Sequence, residues 1–124
     1  MSGRFDGKVG VVTGGASGIG LAIARRLVAE GGRVVVGDID RKALDAVSAE
    51  LGSHAEPVEV DVRIESQVAA MTRTAVSRFG RLDLGFNCAG LGIFGELAEL
   101  DEADWDTVLD ICLKRAWLCV KHEA

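Results

Sequence analysis

The eight residues Thr13-Gly14-Gly15-Ala16-Ser17-Gly18-Ile19-Gly20 contain four glycines. They lie between a β-branched run, Val9 to Thr13, and an apolar-periodic run that begins at Ile19. The first run reads as a short buried strand. The second places Leu21, Ala22, Ala24, Leu27 and Val28 at helical period, which predicts a helix over Ile19 to Glu30. Glycines in the turn between them let backbone come close to a bulky anion. The N-terminus of the following helix turns a partial positive charge toward it. The loop is therefore a candidate phosphate site.

The rest of the chain repeats the alternation. Gly31-Gly32 stops the first helix, and Arg33 to Asp38 reads as a strand apolar on both faces. Such strands belong to parallel sheets covered by helices on two sides. Arg41 to Leu51 is a predicted helix, with Ala43, Leu44, Val47 and Leu51 on one face and Gly52 as its stop. Pro57 to Val62 is a third strand, and Ser66 to Phe79 a helix built on Val68, Met71, Ala75 and Phe79. Leu82 to Phe86 is a fourth strand, Gly90 to Gly95 a glycine-rich loop, and Asp101 to His122 a long last helix. Asp101 is its expected N-cap, with Asp104 in a weak capping-box position. The pattern β-α-β-α-β-α-β-α predicts right-handed crossovers and a doubly wound parallel sheet of order 3-2-1-4. No linker or repeat divides residues 1–124, so they are expected to form one domain.

Composition narrows the function classes. A net charge of −5 with acidic and basic residues mixed offers no basic cluster for nucleic acid or an anionic membrane. No apolar run approaches the ~20 residues that span a bilayer. Three cysteines without a CxxC pair, and no N-terminal apolar segment, predict reduced thiols and a cytoplasmic location. There is no tyrosine, and the two histidines, His54 and His122, lie far apart. His54 and His122 are expected to be exposed, and no metal site is expected.

Three further features join the glycine loop at the carboxyl ends of strands, where open α/β sheets bind ligands. Asp38 ends the second strand, 18 residues after Gly20, where a carboxylate accepts from ribose hydroxyls and repels a 2′-phosphate. That favours NAD over NADP, with Arg41 the one residue that weakens the argument. Asp38 also fits a solvated turn acid. Asp61-Val62 ends the third strand. Its carboxylate suits an adenine amino group, and an Asx-type turn fits it equally well. Asn87-Cys88-Ala89-Gly90 ends the fourth strand, with small residues that let a ligand lie across the sheet.

Together these features resemble the N-terminal, cofactor-binding half of the short-chain dehydrogenase/reductase family. Thr13-Gly14-x-x-x-Gly18-x-Gly20 is similar to the family's Thr-Gly-x-x-x-Gly-x-Gly loop. Asp61 is similar to its adenine-contacting acid, and Asn87-Cys88-Ala89-Gly90 to its Asn-Asn-Ala-Gly segment. Trp105 and the helix after it resemble the family's long interface helix. The resemblance covers essentially the whole chain. It implies a Rossmann-like fold and NAD contacts from Thr13, Gly14, Ser17, Gly18, Ile19, Gly20, Asp38, Asp61, Val62, Asn87, Ala89 and Gly90. It also implies hydride transfer between nicotinamide and an alcohol or carbonyl carbon.

The family's acid/base tyrosine, its partner lysine and its serine belong to a fifth strand and the next helix, beyond Ala124. No catalytic residue is assigned within the chain. The family's helix asparagine falls on Cys112, which also fits a small buried apolar residue. The expectation is an incomplete dehydrogenase domain, truncated and inactive alone, that takes a small alcohol or carbonyl substrate only when the missing half is supplied. The alternative is a non-catalytic nucleotide-binding or interaction module. Cys88 lacks a sequence-adjacent histidine or lysine to activate it. A homo-oligomer is expected through the 101–122 helix or the edge strand 82–86.

Overall fold

In the computed structural model of the chain, residues 3–88, 102–103 and 121–123 are described below. Four strands, β1 (Val9–Thr13), β2 (Arg33–Asp38), β3 (Ala55–Glu59) and β4 (Leu84–Asn87), form one parallel sheet of order β3-β2-β1-β4. The helices α1 (Gly18–Ala29), α2 (Arg41–Leu51) and α3 (Glu65–Phe79) connect them. The predicted order and the alternation of elements are both found.

β1 and β2 are buried on both faces because their neighbours cover both. Val12, Val34 and Val36 pack with Ala24 and Leu27 of α1 and Leu44 and Val47 of α2. Val9, Val11 and Val35 point to the opposite face, against Val68, Met71 and Ala75 of α3. Neighbouring residues of one strand thus feed two separate clusters. This is why Val34-Val35-Val36 reads as a continuous apolar run. Burying each such side chain is worth about 1.5–3 kcal/mol.

Parallel register aligns the strand ends. Thr13 stands opposite Gly37 on one side and Asn87 on the other, while Asp38 stands opposite Glu59. The loops that leave these ends converge on one edge of the sheet. α2 starts there from Asp40, whose carboxylate accepts from Ala43 N at 3.1 Å.

Two strands differ in their bounds from the sequence reading. β3 starts at Ala55 rather than Pro57, because a single 3-10 turn, Gly52–His54, delivers the chain directly beside Val34. Pro57 lies inside the strand, a position an edge strand tolerates because one side of its backbone is unpaired. The strand ends at Glu59, and Val60 and Val62 turn down into the α3-side core. β4 starts at Leu84 rather than Leu82. Just before it, the Asp83 carboxylate accepts from Val9 N at 2.9 Å and is forked by Arg81. Residues 102–103 and 121–123 are helical; the first four fall within the predicted 101–122 helix and Glu123 lies one residue past its expected end, and the rest of that helix lies outside the described residues.

Candidate functional site

The glycine loop is held by its own backbone. Gly14 has φ 64° and Gly18 φ 55°, left-handed conformations that glycine adopts without strain. Gly15 N donates to the Gly37 carbonyl at 3.2 Å, stitching the loop to the end of β2. Gly20 is required for a different reason. A Cβ there would lie 2.1 Å from the Gly14 carbonyl oxygen and 2.7 Å from its carbon. The first turn of α1 is pressed directly against the loop it follows. Ser17 stands at the N-cap in extended conformation and makes no side-chain capping bond. The first-turn N–H groups are therefore not taken by a side chain of their own helix.

This loop is one wall of a cleft of about 460 Å³ at the carboxyl ends of the strands. Gly14, Ser17, Gly18, Ile19 and Gly20 form that wall, and Gly37, Asp38 and Ile39 the next. Val60, Asp61, Val62 and Arg63 contribute the third, and Cys88 the fourth. Ile19 is 77% and Ile39 64% exposed, so two apolar side chains flank the opening.

Asp38 joins two walls. Its Oδ2 accepts from Ala16 N at 3.1 Å, in the glycine loop, and its Oδ1 accepts from Asp40 N at 3.0 Å. It is thus a turn acid, as one sequence reading had it, and also a tie to the loop. Each oxygen keeps capacity for another donor. Asp61 does make the Asx-type turn, its Oδ1 accepting from Arg63 N at 3.0 Å. The Arg63 guanidinium then forks the same carboxylate, Nε to Oδ1 at 3.0 Å and Nη2 to Oδ2 at 2.8 Å. This pairing holds the Asp61 carboxyl below its ordinary range.

Eight sequence-predicted residues meet at the cleft: Gly14, Ser17, Gly18, Ile19, Gly20, Asp38, Asp61 and Val62. Thr13 lies beneath it, fully buried, its carbonyl accepting from Cys88 N at 3.1 Å. Asn87 ends β4 beside Cys88 and donates to Glu123 Oε1 at 3.2 Å. Burial raises the Glu123 carboxyl above its usual range, with the Asn87 bond opposing. Gly85 permits that approach, since a Cβ there would lie 2.5 Å from the Glu123 carboxyl carbon. Ala89, Gly90, Trp105 and Cys112 lie outside the described residues. Arg41, which weakened the argument from charge, is not in the cleft wall; its Nη2 lies 3.1 Å from Asp45 Oδ1 along α2. His54 is exposed as expected, but His122 is half-buried, with Nε2 3.2 Å from Glu65 Oε1 at the start of α3.

Arg63 and Ile39 were missed in the sequence reading. The signal for Arg63 was its place two residues after a strand-end aspartate, a spacing that an Asx turn folds back on itself.

The family model for short chain dehydrogenases matches residues 8–123. The chain belongs to the short-chain dehydrogenase family. Its similarity to a 3-alpha-(or 20-beta)-hydroxysteroid dehydrogenase of Mycobacterium tuberculosis is 40% identity over 121 residues, covering 98% of this chain and 46% of that protein. Its similarity to momilactone A synthase of Oryza sativa subsp. japonica is 45% over 125 residues, covering 98% of this chain and 45% of that protein. The short-chain dehydrogenase/reductase of Brucella melitensis, a glucose/ribitol dehydrogenase, superposes with a TM-score of 0.94 at 31% identity. That match covers 99% of this chain and 53% of the other. The chain therefore spans about half the length of the relatives it matches. The family is one of oxidoreductases that use a nicotinamide cofactor, NAD or NADP. Among the described residues no helix is long and apolar enough to cross a membrane, and no group of three or more His, Cys, Asp or Glu could hold a metal.

Proposed function

We propose that this chain is the NAD(H)-capturing half of a dehydrogenase that oxidises or reduces a small alcohol or carbonyl compound. The observation that carries the choice of NAD is Asp38, a carboxylate in the cleft wall with one backbone N–H on each oxygen. Each oxygen retains room for one donor, which suits the two adjacent hydroxyls of an unphosphorylated ribose. A 2′-phosphate in their place would face like charge. At 4 Å each pair of unit charges costs about 1–4 kcal/mol between water and a partly shielded surface. The one guanidinium in the described cleft wall, Arg63, already forks Asp61.

The other walls fit the remainder of the dinucleotide. The uncapped first turn of α1 suits the pyrophosphate, and the exposed Ile19 and Ile39 suit the flat faces of a base. Nicotinamide, when bound, supplies the hydride acceptor or donor. The residues of this chain bind and orient it. Because the 124 residues include no tyrosine, the family's acid/base group has no occupant here, and the chain alone is expected to hold cofactor without turnover. Substrate binding belongs to the complete protein. β4 pairs only with β1 among the described residues, which supports self-association along this strand; light scattering tests it.

The deciding experiment is calorimetric titration of the chain with NAD and with NADP. A preference for NAD of about tenfold or more is expected, and it should shrink in Asp38→Asn. Equal affinities in the unaltered chain would refute the assignment to Asp38.

A further inference from the structure

Asp61 and Arg63 lie together in the cleft wall and are locked more tightly than an exposed ion pair needs to be. The Asp61 backbone is pinned on both sides, its N–H donating to Gln67 Oε1 at 2.7 Å and its carbonyl accepting from Ile64 N at 3.0 Å. Its carboxylate takes three bonds from Arg63 alone. Oδ1 accepts two of them, from the Arg63 backbone N–H and from Nε, and Oδ2 accepts one, from Nη2. An ionised carboxylate offers about four acceptor sites, two on each oxygen. Oδ1 is therefore filled, and Oδ2 keeps a single site. The pair is local in sequence and part-exposed, at 39% for the arginine side chain and 20% for the aspartate. Such pairs add little to stability. What the fork does add is direction, because two parallel N–H···O bonds fix the plane of the carboxylate as one ammonium would not.

We propose that Arg63 is a positioning residue that makes Asp61 a one-site acceptor selecting a base with a ring amino group over one with a ring carbonyl. The inference rests on the reading of the cleft as a dinucleotide site. It assigns the discrimination at the base to the Arg63 fork rather than to the aspartate alone. An amino group donates to the remaining Oδ2 site. A ring carbonyl in the same place brings a second acceptor against a carboxylate and is rejected.

The test is calorimetric titration of the unaltered chain, Arg63→Gln and Arg63→Lys with NAD and with its hypoxanthine counterpart, in which a ring carbonyl replaces the adenine amino group. Melting temperatures are measured alongside. The unaltered chain is expected to prefer NAD by about tenfold or more. In Arg63→Gln the ratio should fall toward one, chiefly through weaker NAD binding, with little change in melting temperature. Arg63→Lys keeps the charge without the fork and should recover only part of the ratio. A ratio unchanged in Arg63→Gln, or both dinucleotides weakened equally, overturns the inference while leaving the cofactor reading intact. Binding of neither dinucleotide to the unaltered chain overturns the cofactor reading and this inference with it.

Discussion

Replacing Gly20 with alanine tests whether the glycine loop and α1 form one rigid unit. The new Cβ would lie 2.1 Å from the Gly14 carbonyl oxygen, where ordinary contact begins at 3.4 Å, a shortfall of 1.3 Å. The neighbouring atoms, Gly14 carbon and Gly15 Cα, are backbone too, so no rotamer change relieves the clash. The loop must move away from the helix. Doing so strains the bonds that hold it, Gly15 N to Gly37 O and Ala16 N to Asp38 Oδ2. A hydrogen bond between neutral groups contributes about 0.5–1.5 kcal/mol and one to a charged group about 1.5–3 kcal/mol. Alanine returns at most about 1 kcal/mol through its better helix propensity. The balance is a loss of about 1–3 kcal/mol, a fall in melting temperature on the order of 5–10 °C for a domain of this size. Thermal unfolding followed by circular dichroism reads it directly. Gly18→Ala is the internal comparison, because its Cβ would meet nothing within 4 Å and only its φ of 55° is unfavourable. It should cost about 1–2 kcal/mol through that strain, without moving the loop. A Gly20→Ala chain that melts at or above the unaltered temperature would refute the argument, since propensity would then outweigh the contact.

Other outcomes follow from the same structure. Leu44→Ala empties a fully buried position between α2 and the sheet and should destabilise by about 2–5 kcal/mol in denaturant titration. Glu30, with a side chain only 4% exposed, accepts from Arg4 and Arg26, and these bonds lower its pKa from the ordinary 4.5. The stability from that depression is present above the ordinary carboxylate range and is lost as pH falls through the folded value. Glu30→Gln should therefore flatten the acid limb of stability against pH; an unchanged limb would show that the ion pairs do not contribute to it. Mixing the chain with NADH and a panel of ketones should give no steady fall in cofactor absorbance, and steady turnover would sink the claim that the tyrosine-containing segment is essential.

The clearest sequence signals were those in which one residue type answers one local demand. The apolar runs Val9–Thr13 and Val34–Val36 announced strands buried on both faces. The glycines at 14, 18 and 20 marked a loop pressed between strand and helix, and Gly52 marked a helix end. Strand ends were harder to read. Ala55 and Glu56 carry no strong strand preference and pair because Gly52–His54 delivers them beside Val34 and Val35. Val60 and Val62 look like strand residues, yet they leave the ladder to pack under α3.

The candidate site divides in the same way. Glycine spacing and strand-end acids are local features, so Asp38 and Asp61 could be named from the sequence. How many acceptor sites each carboxylate has left could not. That depends on Ala16 reaching Asp38 from another segment, and on Arg63 turning back onto Asp61. The sequence by itself determined that a glycine-rich loop would join a buried strand to a helix beside a strand-end acid. Only the tertiary structure decided which oxygens remain open to a ligand, because the Ala16 N–H from the glycine loop, the Asp40 N–H and the folded-back Arg63 consume the rest.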